Sequence, residues 1–166
     1  MDAEQFWQYS LSLYRREDVR AALLALQDQH GLDVNMLLLC CWQWHLGNPL
    51  DQDTLVHLET HLRPWRQSVT VPLRQVRRAL KTDSRLRHGE RAEKLRASVL
   101  EHELVSERIA QSLLVDQLPK VEPGSLAKQG VLLQSLETYY RVSDSPGDGG
   151  GTLLATIVSG ARTLAQ

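Results

Sequence analysis

The sequence predicts an all-α protein, a single bundle of six or seven helices around a central apolar helix at about residues 33–47. Two observations carry this prediction. Apolar residues recur at the three-and-four spacing of helices along most of the chain, and no run shows convincingly the period-two alternation of a half-buried strand. The segment Met36–Trp42 is an almost unbroken apolar run, as expected for a helix that other helices surround. A chain of 166 residues can fill one domain with a sizeable core.

The first three helices are separated by short turns with clear signals. We expect the first helix at about Ala3–Tyr14 and the second from about Glu17 to Gly31, because glycine favours the left-handed conformation that ends many helices. Asp33 is a good N-cap for the third helix, since its carboxylate can accept a hydrogen bond from an unpaired backbone N–H. This third helix, which ends near Gly47, is the predicted centre of the bundle.

Prolines divide the middle of the chain. Asp51 or Asp53 can cap a fourth helix, and Pro64 fits the first turn of a fifth. Pro72 predicts a kink or a restart there, because proline removes a backbone hydrogen bond. The sixth helix should be the longest, from about Glu90 to Leu118. Its buried seam is expected at residues spaced alternately by four and three: Leu95, Val99, His102, Ser106, Ile109 and Leu113.

The composition along the chain predicts three units. Residues 1–142 should form the helical domain, whose seventh helix opens at Ser125. Residues 143–151 are rich in glycine, serine and aspartate, which is typical of a flexible linker. Residues 152–166 then predict a short apolar helix that docks either on its own chain or on a second copy, which would give a homodimer.

The cellular setting is predicted from what the sequence lacks. No apolar run approaches the roughly 20 residues of a membrane span, and acidic residues stand where a secretory signal would be basic. Cys40 and Cys41 are adjacent on a helix and therefore point too far apart for a disulfide. We therefore expect a reduced, cytoplasmic protein without a membrane partner.

Three segments of the chain resemble a known family. They are FWQYSLSLY from Phe6, VRAALLALQDQHGLDVNMLLLCCW from Val19 and WRQSVTVPLRQVRRALK from Trp65. Together they resemble a mostly proteobacterial family known only as domain of unknown function 2390, over roughly Glu4 to Leu118. The resemblance implies a bacterial cytoplasmic protein and implies no reaction, ligand or cofactor.

The charge of the chain is polarised although its net charge is only −1. Residues 1–62 carry a balance of −6, residues 63–96 a balance of +8 and residues 97–166 a balance of −3. Within the basic part, Arg74, Arg77, Arg78 and Lys81 are spaced at i, i+3, i+4 and i+7, which places them on one side of a helix. Arg63 and Arg66 precede them. The predicted basic face consists of Arg63, Arg66, Arg74, Arg77, Arg78 and Lys81.

A continuous, water-facing cationic strip would attract acidic partners. We therefore predict a non-catalytic interaction or regulatory module that binds an unknown acidic protein through this face. Nucleic acid is an alternative partner, because phosphates attract the same side chains. A third alternative is that the arginines pair with carboxylates of the chain itself, including those of its acidic N-terminal third.

A different class of function is suggested by the aromatic residues. Trp7, Tyr14, Trp42 and Trp44 could line a pocket among the first helices, in a small-ligand-binding or enzymatic helical protein, although aromatic residues at helical spacing more often belong to the core. We predict no catalytic residue, cofactor or metal. His57 and His61 share a helix face but lack the glutamate placement of a zinc protease, and no nucleotide-binding glycine motif is found.

Overall fold

The computed structural model describes residues 2–83, 85, 89–118, 129–143 and 150–165. Within these ranges the chain is all-α and has no strand, as predicted. The first four helices are α1 (Ala3–Tyr14), α2 (Glu17–His30), α3 (Val34–His45) and α4 (Gln52–Trp65). A π-helical turn (Arg66–Thr70) leads into α5 (Val71–Thr82). The remaining helices are α6 (Glu90–Asp116), α7 (Gln129–Val142) and α8 (Gly151–Leu164).

The turns before α3 and α4 form as their sequences predict. Gly31 ends α2 with a φ of 70°, a left-handed conformation that glycine adopts without steric cost. The Asp33 carboxylate accepts hydrogen bonds from the backbone N–H groups of Asn35 and Met36. The Asp51 carboxylate accepts one from Thr54 in the same way. These caps satisfy N–H groups that the helix itself leaves unpaired.

Helix α3 is the centre of the bundle, as its apolar run predicts. Every side chain from Asn35 to Trp44 is buried, and α1, α2, α6, α7 and α8 all pack against the helix. Cys40 and Cys41 are fully buried as free cysteines, and burial raises the pKa of the Cys40 thiol to about 12. They therefore act as small apolar side chains of the core.

The prediction of a separate fifth helix starting at Pro64 is wrong. Helix α4 includes Pro64, and the chain stays helical through the π turn into α5, where Pro72 occupies the first turn. A π turn inserts one residue into the helical repeat, which shifts the hydrogen-bond register between the two prolines. The result is one continuous helical rod from Gln52 to Thr82 in place of two helices.

The buried stripe of α6 also differs from the predicted seam. Leu95, His102 and Ile109 are exposed, whereas the buried positions of α6 are Glu103, Ser106, Ala110, Gln111 and Leu114. The reason is that α5 presents arginines to α6, so that a glutamate occupies the contact position. No described residue between 71 and 102 is buried, so α5 and the first half of α6 form a hairpin outside the core.

Helix α8 packs on its own chain. Its apolar side chains Leu154, Ile157, Val158 and Ala161 are buried, and the helix lies mainly against α2 and α7. A Cβ atom on Gly160 would lie only 2.3 Å from Cγ2 of Val19, so glycine permits the close approach of α8 to α2. The middle of the predicted linker, residues 144–149, and the predicted start of the seventh helix at Ser125 lie outside the described residues. No helix in the described ranges is long and apolar enough to cross a membrane.

Candidate functional site

The arginines of the predicted basic face are bonded to carboxylates of the chain itself. Arg66 donates to both carboxylate oxygens of Glu59, and Arg63 forms an ion pair with the same glutamate. Arg78 donates to Asp28 of α2. Only Lys81 of the six residues has no ion pair among the described side chains. The expectation of a continuous, water-facing cationic strip is therefore wrong. Glu59 pairs with Arg63 and Arg66 of the same helical rod, and tertiary contacts bring acidic residues of α2 and α6 to the arginines of α5.

The predicted aromatic pocket divides into two parts. Trp42 and Trp44 are buried in the core, and the Trp42 ring stacks on Phe6 with 5.0 Å between the ring centroids. Trp7 and Tyr14 of α1 are only partly buried and line a surface cleft. This cleft is also lined by Arg74, Arg77 and Arg78, so that half of each predicted site contributes to one cavity.

The cleft lies between α1, α2 and α3 on one side and α5 and α6 on the other. Its volume is about 330 Å³. Apolar and aromatic side chains from four helices form its walls: Trp7, Leu11, Tyr14, Leu24, Val34, Leu38, Leu100 and Leu104. A concave, mostly apolar surface with a few converging polar groups is the usual form of a small-molecule site.

Polar side chains form the floor of the cleft, and we name Asn35, Arg74, Arg77, Glu103, Glu107 and Gln111 the cleft network. Arg74 Nη2 donates to Glu107 Oε1 at 2.9 Å, and Arg74 Nε lies 3.5 Å from Glu103 Oε1. Arg77 donates through Nε and Nη2 to the two oxygens of Glu103. The Asn35 side-chain amide donates to Glu107. One glutamate thus holds two arginines of α5 against α6.

Glu107 differs from the other groups of the cleft network because its carboxyl group titrates near neutral pH. Burial raises the pKa of its carboxyl, the negative charge of Asp33 adds to this effect and Arg74 opposes it, which gives a pKa of about 7. A carboxyl group that is partly protonated at neutral pH can both donate and accept a hydrogen bond.

Gln111 provides an unused acceptor at the floor. Its side chain is only 1% exposed, and its Nε2 donates to Ser10 Oγ and to Asn35 Oδ1, both at 3.1 Å. Its Oε1 is buried and accepts no hydrogen bond from any residue that the structure describes. Buried amide oxygens normally accept a hydrogen bond, so we expect the donor for this oxygen to come from outside the described residues.

Two ion pairs stand at the edges of the cleft. Arg78 Nη2 of α5 lies 2.6 Å from the Asp28 carboxylate of α2, and both side chains are about half exposed. Burial alone would raise the pKa of Asp28, but the hydrogen bond and the charge of Arg78, together with a hydrogen bond from Gln27, outweigh it and the pKa lies below its ordinary value. At the other edge, Arg108 of α6 bonds to Glu4 and its guanidinium lies 5.7 Å from the centre of the Trp7 ring. These pairs connect the α5–α6 hairpin with α1 and α2.

A second set of charged groups lies away from the cleft, and we name Asp33, Glu59, Arg66 and Tyr139 the core ion cluster. Arg66 Nη1 lies 3.7 Å from Asp33 in addition to its two bonds with Glu59. The Tyr139 hydroxyl donates to Glu59 and accepts from the backbone N–H of Asp33. Burial raises the pKa of Asp33, and the neighbouring Glu59 charge adds to this effect while Arg66 opposes it. This cluster joins the start of α3 to α4 and α7.

His57 and His61, which share a helix face, do not line the cleft. His57 and His61 have ring centroids 6.4 Å apart, and no group of three or more metal-binding side chains occurs among the residues described. The sequence interpretation missed Asn35, Glu103, Glu107 and Gln111. Their signal was present in part, because residues 103, 107 and 111 recur every fourth position and therefore share one side of α6.

The comparisons with known proteins give a family without an activity. A family model described as "Protein of unknown function (DUF2390)" matches residues 5–114. No curated protein and no solved structure matches the chain. The matched residues run from α1 into the last turn of α6 and leave out α7 and α8.

Proposed function

Since the chain belongs to the DUF2390 family, whose description assigns no activity, we propose from the geometry that it is a non-catalytic binding module for a small amphipathic ligand. The ligand site is the cleft between the α5–α6 hairpin and helices α1–α3. The supporting observation is the combination of apolar walls with a polar floor in one cavity of about 330 Å³. Every residue that lines this cavity, from Trp7 to Gln111, lies within the segment that matches the family.

The walls favour a ligand with an apolar part. Leu100 and Leu104 are large apolar side chains that stay substantially exposed on α6, and Trp7 and Tyr14 face them from α1. Covering such side chains releases roughly 25 cal/mol for each Å² of apolar surface removed from water. The floor then fixes the orientation of the ligand, because its polar groups are held by one another.

This proposal replaces the acidic-partner hypothesis as the leading one. The arginines that would bind an acidic protein or a nucleic acid already donate to Glu59, Glu103, Glu107 and Asp28. An acidic partner would have to compete with these carboxylates for the guanidinium groups. The bacterial and cytoplasmic setting, like the homodimer, stays a prediction from the sequence.

Prodan, a neutral and environment-sensitive naphthalene dye, provides a test. We expect its emission to shift to the blue on binding to the protein. Leu104→Asp should weaken this binding by at least about tenfold, because a carboxylate would have to be buried against the dye. Leu104 is 51% exposed, so the substitution leaves the core intact.

Val105→Asp is the matched control. Val105 is the next residue of α6 and is 58% exposed, but it does not line the cleft. The control variant should bind prodan as the unchanged protein does. Equal binding by the two variants, or no binding by the unchanged protein, would refute the cleft as the ligand site.

A further inference from the structure

Charged groups of both signs line the cleft, which limits the ligand that it can accept. Arg74 and Arg77 pair with Glu103 and Glu107 on its floor, and Arg78 pairs with Asp28 at its edge. A ligand carboxylate would face two glutamates and the lone pairs of Gln111 Oε1. A ligand ammonium would face three arginines. Either charged group would meet like charge at close range in a partly desolvated site, which is costly.

A neutral polar group meets no such penalty and finds partners of both kinds. Gln111 Oε1 is a buried acceptor without a donor among the described residues, so the ligand should supply an N–H or O–H group. The guanidinium groups of Arg74 and Arg77 each present five N–H donors, of which the bonds to Glu103 and Glu107 use two or fewer. An acceptor atom on the ligand can therefore bind beside the donor.

We propose that the ligand of this cleft has an apolar tail and a neutral head group that donates and accepts hydrogen bonds, as a primary carboxamide does. The N–H of the head group binds Gln111 Oε1, its carbonyl oxygen binds the arginines of α5, and the tail lies between Trp7 and Leu104. This inference rests on the proposed function of the cleft and adds the chemical class of the ligand to it.

A series of compounds with one tail and different head groups tests the inference. The four compounds are hexanamide, N,N-dimethylhexanamide, hexanoate and hexylammonium, each titrated into the ¹⁵N-labelled protein at neutral pH. The indole N–H signal of Trp7 reports the tail, and the side-chain amide signal of Gln111 reports the head group. Hexanamide should bind at least about tenfold more tightly than its N,N-dimethyl derivative, which keeps the carbonyl and lacks the N–H.

The two signals separate failure of this inference from failure of the proposed function. Equal affinities of hexanamide and N,N-dimethylhexanamide, with Trp7 shifted by both, would overturn the head-group assignment and leave the cleft as a binding site. Tighter binding of hexanoate or hexylammonium would overturn it as well. The absence of any Trp7 shift with all four compounds would overturn the proposed function and, with it, this inference.

A variant adds a second measurement of the same interaction. In Gln111→Met the side chain keeps its length but loses the amide oxygen, so the preference for hexanamide over its dimethyl derivative should disappear. The control is Gln117→Met, because Gln117 lies beyond the end of α6, bonds to His57 and does not line the cleft. The comparison of compounds on the unchanged protein decides the question even where Gln111→Met does not fold, and a retained preference in a folded Gln111→Met protein would contradict the assignment.

Discussion

The core ion cluster and the cleft network are built from the same basic segment of the sequence, yet they differ in completeness. In the core ion cluster, Arg66 bonds to both oxygens of Glu59, and the Tyr139 hydroxyl both donates and accepts. In the cleft network, Gln111 keeps an acceptor without a donor among the described residues, and burial raises the pKa of Glu107 to about 7. One cluster is closed on itself, and the other opens into a cavity.

This difference separates a structural role from a binding role. A buried charged cluster whose groups are all bonded holds its helices in place and has no capacity for another partner. A cluster with an unused acceptor and arginine N–H groups next to a cavity can exchange bonds with a ligand. Arginines from the basic segment at residues 63–96 therefore belong to two different clusters, the core ion cluster and the cleft network. Neither cluster is the binding face that the sequence predicted.

The largest effect is expected for loss of the arginine in the core ion cluster. Arg66→Met would leave Glu59 and Asp33, whose side chains are 3% and 7% exposed, without their cation. Breaking a buried ion pair in this way costs about 3–5 kcal/mol, because an uncompensated charge stays buried. The free energy of unfolding from urea titrations monitored by circular dichroism gives the value.

Arg63→Met is the control for this experiment. Arg63 forms an ion pair with the same glutamate, but its side chain is half exposed, so its loss should cost less than about 1 kcal/mol. Similar losses for Arg63→Met and Arg66→Met would contradict the view that the core ion cluster depends on Arg66 as its cation.

The local features of the fold could be predicted because a few neighbouring residues determine them. The Gly31 turn and the Asp33 and Asp51 caps follow from backbone conformation and short-range hydrogen bonds. The burial of α3 follows from its apolar run. The same run should have placed Trp42 and Trp44 in the core, since a helix surrounded on all sides leaves no aromatic side chain for a surface pocket.

The cleft could not be predicted in the same way, because its parts meet only in the tertiary structure. The arginines of α5 and the glutamates of α6 are 26 to 33 positions apart, and their pairing depends on how the hairpin closes. The apolar spacing of α6 suggested a hydrophobic seam through Leu95 and Ile109, but arginines on α5 select Glu103 as the contact residue. Charge pairing thus decided a register that hydrophobic periodicity alone assigned wrongly.

A smaller effect is expected for the pH dependence of stability that Glu107 causes. Its pKa rises from an ordinary 4.5 to about 7 on folding, so the folded state holds a proton that the unfolded state releases. The stabilisation is fully present below pH 4.5 and is lost as the pH rises through 7. We expect the free energy of unfolding to fall by on the order of 2–3 kcal/mol across this window.

Glu107→Gln should reduce this decline, because glutamine has no proton to release. Part of the decline should remain, since burial raises the pKa of Asp33 as well. Glu101→Gln, at an exposed position of the same helix, is the control and should keep the full pH dependence. Urea titrations at several pH values between 4 and 8 measure it. If the free energy of unfolding of Glu107→Gln depended on pH as strongly as that of the unchanged protein, the raised pKa of Glu107 would be contradicted.

The smallest effect on stability, and the most local one, is expected at the mouth of the cleft. Arg78→Gln removes the exposed ion pair with Asp28, and exposed pairs contribute less than about 1 kcal/mol. Among the described residues of α5 none is buried, so apolar burial contributes little to the attachment of this helix. Loss of the pair should therefore increase amide hydrogen exchange in α5 while global stability changes little.

Arg20→Gln separates this effect from the general loss of a surface charge. Arg20 forms an exposed ion pair with Glu17 inside α2, so its removal breaks no link between helices. Hydrogen exchange followed by mass spectrometry should show faster exchange across Val71–Thr82 in Arg78→Gln and unchanged exchange there in Arg20→Gln. Because salt screens exposed charges, high salt should bring the unchanged protein close to Arg78→Gln. Equal exchange of α5 in both variants would contradict this role of the Arg78–Asp28 pair.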